Sequence, residues 1–327
     1  MMSKVNVMSG TTLIGVTDRS YQPTLSHLRA FVAIARHRHF GSAAAQLSIT
    51  QPSLSQALAA LEQGLGVQLI ERSTRRVLLT SAGSQLLGRA TAALDAVDGL
   101  VATAAGLDGR MTGSLRLGII PTVAPYVLPT VLPAMRAEFP ELVPRIVEDH
   151  TARLLDALRS GALDVAVLAL PLADPGLIEI FMYTEDFVLA LPPEHSLAGR
   201  RDLTVAELRG LPLLLLDEGH CLREQTLDLC RSVDIAPDAS DTRATSLTTV
   251  VQCVAGGLGL TLLPRSAVDV EVARAGLSTA EFAHPAPGRT IGLVHRSTSA
   301  RSAEYSALAG LLATEVRAGH EGGLSRE

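Results

Sequence analysis

Three thiols occur in this chain of 327 residues: Cys221, Cys230 and Cys253. Cys221 sits in Asp217-Glu-Gly-His-Cys-Leu-Arg-Glu-Gln225, directly after His220 and two residues after a glycine. The spacing of Leu222, Thr226, Leu229, Cys230 and Val233 fits one helix face, so a helix is expected from about Arg223. A cysteine at a helix start, with Arg223 in the first turn and His220 beside it, has surroundings that suit a thiolate, the nucleophilic form. Three chemistries fit these residues. Cys221 can be a redox thiol. Cys221, Cys230 and His220 can be zinc ligands, though no fourth ligand is evident. The cysteines can also be small buried hydrophobes, but a glycine-flanked turn is not a core position. The N-terminal stretch has one Lys, a broken apolar run and an early Asp, unlike a secretory signal, so a cytoplasmic location is expected. Three cysteines there are no disulfide scaffold, and any disulfide would be transient.

Other catalytic patterns are missing. There is no G-x-S-x-G, no H-E-x-x-H, no C-x-x-C and no G-x-G-x-x-G. Gly256-Gly257-Leu258-Gly259 precedes a strand and reads as a helix C-cap. His37 and His39 lack ligands at metal spacing and read as a solvated helix end. No cofactor or metal is implied, and the chain does not read as an enzyme.

The elements that position the thiols alternate. Strands are expected at 115–120, 145–148 and 165–170, with helices at 127–139 and 151–160 between them. Such order implies a parallel sheet covered by helices. A second group follows, with strands at 187–191, 213–216 and 260–263 and helices near 205–208, from 223 and at 248–255. A strand at 290–295 and a helix at 303–316 close the chain. Two α/β lobes with a cleft between them are the economical architecture, and Pro121-Thr122 lies where ligands bind in such sheets, beyond a strand's carboxyl end.

Net charge is −5, which argues superficially against a nucleic-acid partner. Residues 24–89, however, hold seven Arg against Glu62 and Glu71, a surplus of five positive charges. Leu25, Leu28, Phe31, Val32 and Ala35 give a first helix, 42–47 a second, and Thr50 caps a third with Pro52 in its first turn. That third helix buries Leu54, Leu58 and Leu61 and presents Gln51, Ser53, Ser55 and Gln56, uncharged groups suited to base edges in a major groove. This is a helix-turn-helix pattern. Strands at 67–71 and 77–80 form a wing whose Arg72, Arg75 and Arg76 would meet phosphate. Aromatics are only 3% with no Trp, which disfavours a platform for stacking single-stranded bases. No apolar run is long enough to span a membrane.

Leu86, Ala90, Ala93, Val97, Leu100 and Ala104 form a heptad seam. A lone helix cannot bury it, so a second copy of the chain is expected on it. The division that follows is an extension at 1–23, a winged helix-turn-helix domain at 24–85, a linker helix at 86–112 and a regulatory domain at 113–327. The regulatory domain divides into lobe I, 113–184 with 290–327, and lobe II, 185–289.

HFGSAAAQLSITQPSLSQALAALEQGLGVQLIERSTRRVLLTSAG resembles the N-terminal domain of LysR-type transcription regulators nearly throughout, and the remainder resembles their periplasmic-binding-protein-like effector domain. The 217–225 segment with Cys230, Ile120-Pro-Thr-Val-Ala-Pro-Tyr126, Arg243-Ala-Thr-Ser-Leu247 and Arg289-Thr-Ile-Gly-Leu-Val294 resemble the OxyR-type hydrogen-peroxide sensors of that family. The resemblance implies that Cys221 reacts with peroxide and Cys230 resolves it as a disulfide. It places Thr122, Thr151, His220, Arg223 and Arg289 around the thiolate, and it leaves Cys253 without a role. It implies four subunits, a dimer of dimers, on double-stranded promoter DNA, with cytosolic thiols as reductants and RNA polymerase as a partner. Nine residues of helix rise roughly 13 Å, whereas a disulfide needs Cα atoms within about 7 Å, so such a bond requires the helix to unwind. Two rivals differ in class. A LysR-type regulator can bind a small effector in the inter-lobe cleft, with inert cysteines. A stand-alone thiol peroxidase would share the thiol chemistry but have no use for residues 24–89.

Overall fold

The computed structural model describes residues 21–72, 77–105, 111–234 and 244–323. The chain forms two compact units, divided after Asp95.

In the N-terminal unit, α1 (Leu25–His37), α2 (Phe40–Gln46) and α3 (Gln51–Leu65) pack around Phe31, Ile34, Leu54, Leu58 and Leu61. Each helix start has its cap. Thr24 Oγ1 accepts from the His27 N–H, and Thr50 Oγ1 from the Ser53 N–H, both at 3.3 Å. The second helix starts two residues earlier than expected, because His39 Nδ1 accepts from the Ser42 N–H and caps it. Gly41 therefore lies inside α2 rather than before it. β1 (Ile70–Arg72) and β2 (Val77–Leu79) pair antiparallel and are shorter than the strands expected. The Glu62 carboxylate fixes the start of this hairpin: Oε1 accepts the N–H groups of Leu69 at 2.8 Å and Ile70 at 3.1 Å.

The long helix α4 runs Ser81–Ala105. The seam expected on it divides. Leu86 and Ala90 pack on the unit's own core, so that half needs no second chain. Further along, Leu100 and Val101 are 69% and 61% exposed.

The C-terminal unit is a curled mixed sheet in two lobes. Its strands are β3 (Gly113–Ile119), β4 (Leu142–Glu148), β5 (Val165–Leu170), β6 (Leu177–Leu191), β7 (Thr261–Pro264), β8 (Ser278–Glu281) and β9 (Gly288–Arg296), in the order β4-β3-β5-β9-β6-β7 with β8 also on β6. Only β4, β3 and β5 are parallel, as βαβ crossovers through α5 (Ala124–Glu138) and α6 (Thr151–Arg159) require. The parallel sheet expected for the first three strands is present, and the remaining strand pairs of the unit are antiparallel. The cause is β6. It is 15 residues long, where only its last five were expected, and it serves both lobes. Its first part pairs with β9, and its end pairs with β7 and β8.

Three apolar clusters result. Lobe I has one, with Leu117, Val127, Leu154, Val167 and Leu308. Lobe II has two, and the end of β6 contributes to both: Phe187 and Ala190 join one, Leu189 and Leu191 the other. α7 (Cys221–Arg231), α8 (Leu247–Ala255) and α9 (Arg265–Ala275) cover lobe II, and α10 (Ser302–Gly323) covers lobe I. α9 and β8 were not expected. The strand expected at 213–216 is reduced to isolated bridges, Leu213 to Leu260 and Leu216 to Ala244.

Replacing Glu62 with Ala leaves the Leu69 and Ile70 N–H groups without that acceptor. The variant is expected to lose about 1–3 kcal/mol of N-terminal unit stability, read by denaturant unfolding. An unchanged midpoint contradicts the role given to Glu62.

Candidate functional site

Cys221 is the first residue of α7, and His220 is its N-cap. The helix therefore begins two residues before the expected start. Gly219 supplies the turn into it with φ +93°, a conformation glycine adopts readily, and a Cβ there would stand 3.2 Å from the His150 ring. Close approach and backbone conformation both call for glycine here.

His150 is the N-cap of α6 in lobe I, and Thr151 is that helix's first residue. Its Nε2 lies 3.1 Å from His220 Nε2, with the two rings edge to face. The N-termini of α6 and α7, from different lobes, therefore meet through their capping histidines. His220 is buried, and its pKa is lowered by that burial and by His150, with Asp217 and the Thr245 backbone opposing.

The two thiols belong to different cores. Cys221 is half-buried and packs against the lobe I cluster. Leu222, the next residue, is in one lobe II cluster, and Cys230 is fully buried in the other. Burial raises the Cys230 pKa. Both thiols are free, and one intact helix lies between them. Cys253 sits on α8 against the Phe187 cluster.

A second constellation spans the crossing strands. Arg289 on β9 stands opposite Glu185 on β6. Its Nε donates to Glu185 Oε1 at 2.9 Å, Nη1 to Thr122 Oγ1 at 2.8 Å and Nη2 to the Thr122 carbonyl at 2.9 Å. Both charged side chains are essentially unexposed, so this pair is a buried one whose ends are hydrogen-bonded. Thr122 and Arg289 are thus brought together as a rigid post beyond the end of β3. Arg223 Nη1 donates to the Leu216 carbonyl at 2.9 Å, tying α7 to the chain before it. Two buried oxygens near the start of α6 and along α7, Thr151 Oγ1 and Gln225 Oε1, have no hydrogen-bond partner among the described residues. Gln225 lies one turn beyond Cys221 on the same helix face.

His150, Glu185 and Gln225 were not singled out in the sequence as site residues. Two signals were present: His150 directly precedes Thr151, and Gln225 ends the motif around Cys221. The zinc reading finds no support in the geometry, since among the described residues no three His, Cys, Asp or Glu side chains converge to hold a metal ion.

On α3, Gln51, Pro52, Ser53 and Gln56 are exposed and Ser55 is half-buried, while Leu54 and Leu58 are buried. Arg72 is the last residue of β1; Arg75 and Arg76 lie outside the described residues, as does Arg243.

Comparison with known proteins fits this geometry. The pattern for "Bacterial regulatory helix-turn-helix protein, lysR family" matches residues 25–84, and that for "LysR substrate binding domain" matches residues 108–317. The chain belongs to the LysR family of transcription regulators. It lies on the OxyR branch of that family, whose members are regulators and not enzymes. A "Probable hydrogen peroxide-inducible genes activator" of Mycobacterium leprae is 56% identical over 305 residues, covering 93% of this chain and 98% of that protein. The "DNA-binding transcriptional dual regulator OxyR" of Escherichia coli K12 is 41% identical over 282 residues, covering 86% and 92%. A hydrogen peroxide-bound cysteine mutant of Corynebacterium glutamicum OxyR is 51% identical, with TM-score 0.65, covering 93% of this chain and 95% of that one. No helix among the described residues is long and apolar enough to cross a membrane.

The lowered pKa of His220 gives a pH dependence, and His295, buried at the end of β9, adds to it, since its own burial lowers its pKa. Below the ordinary histidine value of about 6.5, the unfolded chain takes up protons that the folded chain refuses. Stability is therefore full above that value and falls as pH drops beneath it, by at most about 1.4 kcal/mol per pH unit for each group. Melting temperature against pH for the reduced protein is expected to fall more shallowly on the acid side in His220→Asn. Identical slopes contradict this.

Proposed function

We propose that this chain regulates oxidative-stress genes as a DNA-binding protein switched by hydrogen peroxide, through a reversible disulfide between Cys221 and Cys230. The observation that carries the reading is the placement of two free thiols at opposite ends of one helix, in cores of different lobes. The thiolate of Cys221 attacks one peroxide oxygen. The O–O bond breaks, an S–O bond forms, and the departing hydroxide takes up a proton and leaves as water, giving a sulfenic acid. The Cys230 sulfur then displaces the sulfenic oxygen as water and closes the disulfide. Two electrons from cytosolic thiols reverse it. The reacting thiolate lies where the positive ends of α6 and α7 meet. Thr151 Oγ1 and Gln225 Oε1, both unpartnered among the described residues, offer a small ligand with donors and acceptors hydrogen bonds inside a core. Thr122, His220, Arg223 and Arg289 complete the pocket: Arg289 aims the Thr122 hydroxyl, and Arg223 anchors α7.

Nine residues of helix hold the cysteines' Cα atoms roughly 13 Å apart, well beyond disulfide reach. Closing the bond therefore pulls Cys221 out of lobe I and dismantles α7. That change is the signal. It is passed to operator-bound subunits through a dimer of dimers, with the exposed stretch of α4 at Leu100 and Val101 as one contact between copies. α3 reads promoter DNA through Gln51, Ser53, Ser55 and Gln56, with Arg72, Arg75 and Arg76 on phosphate. RNA polymerase is the downstream partner, and the cytoplasm is the setting.

Two measurements test this. Peroxide titration followed by mass spectrometry is expected to show a Cys221–Cys230 bond in the wild type, a dimedone-trappable sulfenic acid in Cys230→Ser, no response in Cys221→Ser, and no change in Cys253→Ser. If Cys221 reacts with peroxide no faster than free cysteine does, a small-molecule effector regulator takes the place of this reading. In gel shifts, Arg75→Ala is expected to weaken binding to all duplexes alike and lower the salt slope by about 1, whereas Gln51→Ala relaxes sequence preference. No duplex binding at low salt contradicts the DNA assignment.

A further inference from the structure

We infer that His150 is a positioning residue for the thiol reaction: from lobe I it holds the His220 ring through one shared proton, and so keeps the first turn of α7, with Cys221, seated against the lobe I core. This rests on the peroxide reading above and extends it to a residue outside the pocket assigned there.

Two ring nitrogens 3.1 Å apart are a hydrogen bond only if one carries a proton and the other a lone pair. With no proton between them, two lone pairs oppose. With two, the N–H groups collide. The pair therefore works as a link bearing one proton. The surroundings support that state. His220 is buried and its pKa is lowered, so a second proton is disfavoured there. On the other side, His150 Nδ1 lies 3.4 Å from Asp149 Oδ1, a carboxylate also bonded by Arg153. Asp217 and the Thr245 backbone act on the His220 pKa in the opposite sense.

The link's position gives it leverage. His150 and His220 are the N-caps of α6 and α7, and neither uses its side chain to cap its own helix. Each ring is spent on the other. Gly219 has no side chain where one would press on His150. One peptide unit beyond His220 is Cys221, whose side chain packs on lobe I although its helix belongs to lobe II. Cutting the link frees the N-cap of α7 and with it the placement of the thiol.

The test uses full-length protein with Cys230→Ser and Cys253→Ser, so that Cys221 is the sole thiol, and compares His150→Leu with His150→Gln. Gln keeps a group that donates or accepts one hydrogen bond; Leu keeps bulk alone. Two rates are measured at neutral pH: sulfenic acid formation with hydrogen peroxide, trapped by dimedone, and alkylation by iodoacetamide. In His150→Leu the peroxide rate is expected to fall about tenfold or more, as for a misplaced reacting group, while alkylation rises because the thiol leaves the core. In His150→Gln both rates return to within about threefold of the parent, as a retained hydrogen bond predicts. A simple change in thiol acidity moves both rates the same way, and that result overturns the inference. So does a Leu variant matching the parent in both rates, or a Gln variant matching Leu. The parent's peroxide rate by itself tests the peroxide reading, and the alkylation arm by itself tests the hold of His150 on Cys221, so the two failures are distinguishable.

Discussion

An intact α-helix cannot bring its own two ends together. That rule governs the C-terminal unit, because α7 has one thiol as its first residue and another one residue before its end. The rest of the unit keeps this helix in place. The N-cap is held from lobe I by an imidazole pair, the first turn is tied by Arg223 to the Leu216 carbonyl, and the far end is buried with Cys230 in lobe II. Each attachment is modest. A typical net hydrogen bond contributes about 1 kcal/mol. The proposed bond between the two sulfurs therefore competes with attachments of this modest size.

The lobes themselves are joined more firmly. β6 and β9 run from one lobe to the other, and at their crossing Glu185 and Arg289 form an ion pair that is shielded from water and hydrogen-bonded to Thr122. A second bridge lies where Tyr126 on α5 donates at 2.8 Å to Glu271 on α9, which also accepts from Thr248. Removing one member of a buried pair leaves the other charge uncompensated, which is costly. The strands and these polar posts join the lobes without using α7, so the proposed refolding of that helix need not dissolve the domain.

Much of this was legible in the sequence. Caps and apolar spacing gave the three N-terminal helices, and the motif around Cys221 placed the thiol at a helix start. What stayed hidden depends on contacts between distant segments. The first ten residues of β6, Leu-Ile-Glu-Ile-Phe-Met-Tyr-Thr-Glu-Asp, do not alternate cleanly, because a register shift between Phe181 and Tyr183 breaks the two-residue period. α9 packs Ala267, Val268, Val272 and Ala275 into a lobe II cluster at helical spacing, but the charged Glu271 falls on that same face, buried and accepting from Tyr126, and interrupts the apolar pattern. His150 and Glu185 are site neighbours only through partners 70 and 104 residues away. The α4 seam misled in a different way: its spacing was read correctly, but its first half is satisfied within its own unit.

The central claim is that bond formation and loss of α7 are one event. Hydrogen exchange read by mass spectrometry on the peptide spanning 221–231, with disulfide mapping of the same sample before and after peroxide, measures both at once. The account predicts a protected helix with free thiols in the reduced protein, and a Cys221–Cys230 bond with protection lost across that peptide after oxidation. A bond that forms while protection is unchanged, or loss of protection with both thiols still free, contradicts it.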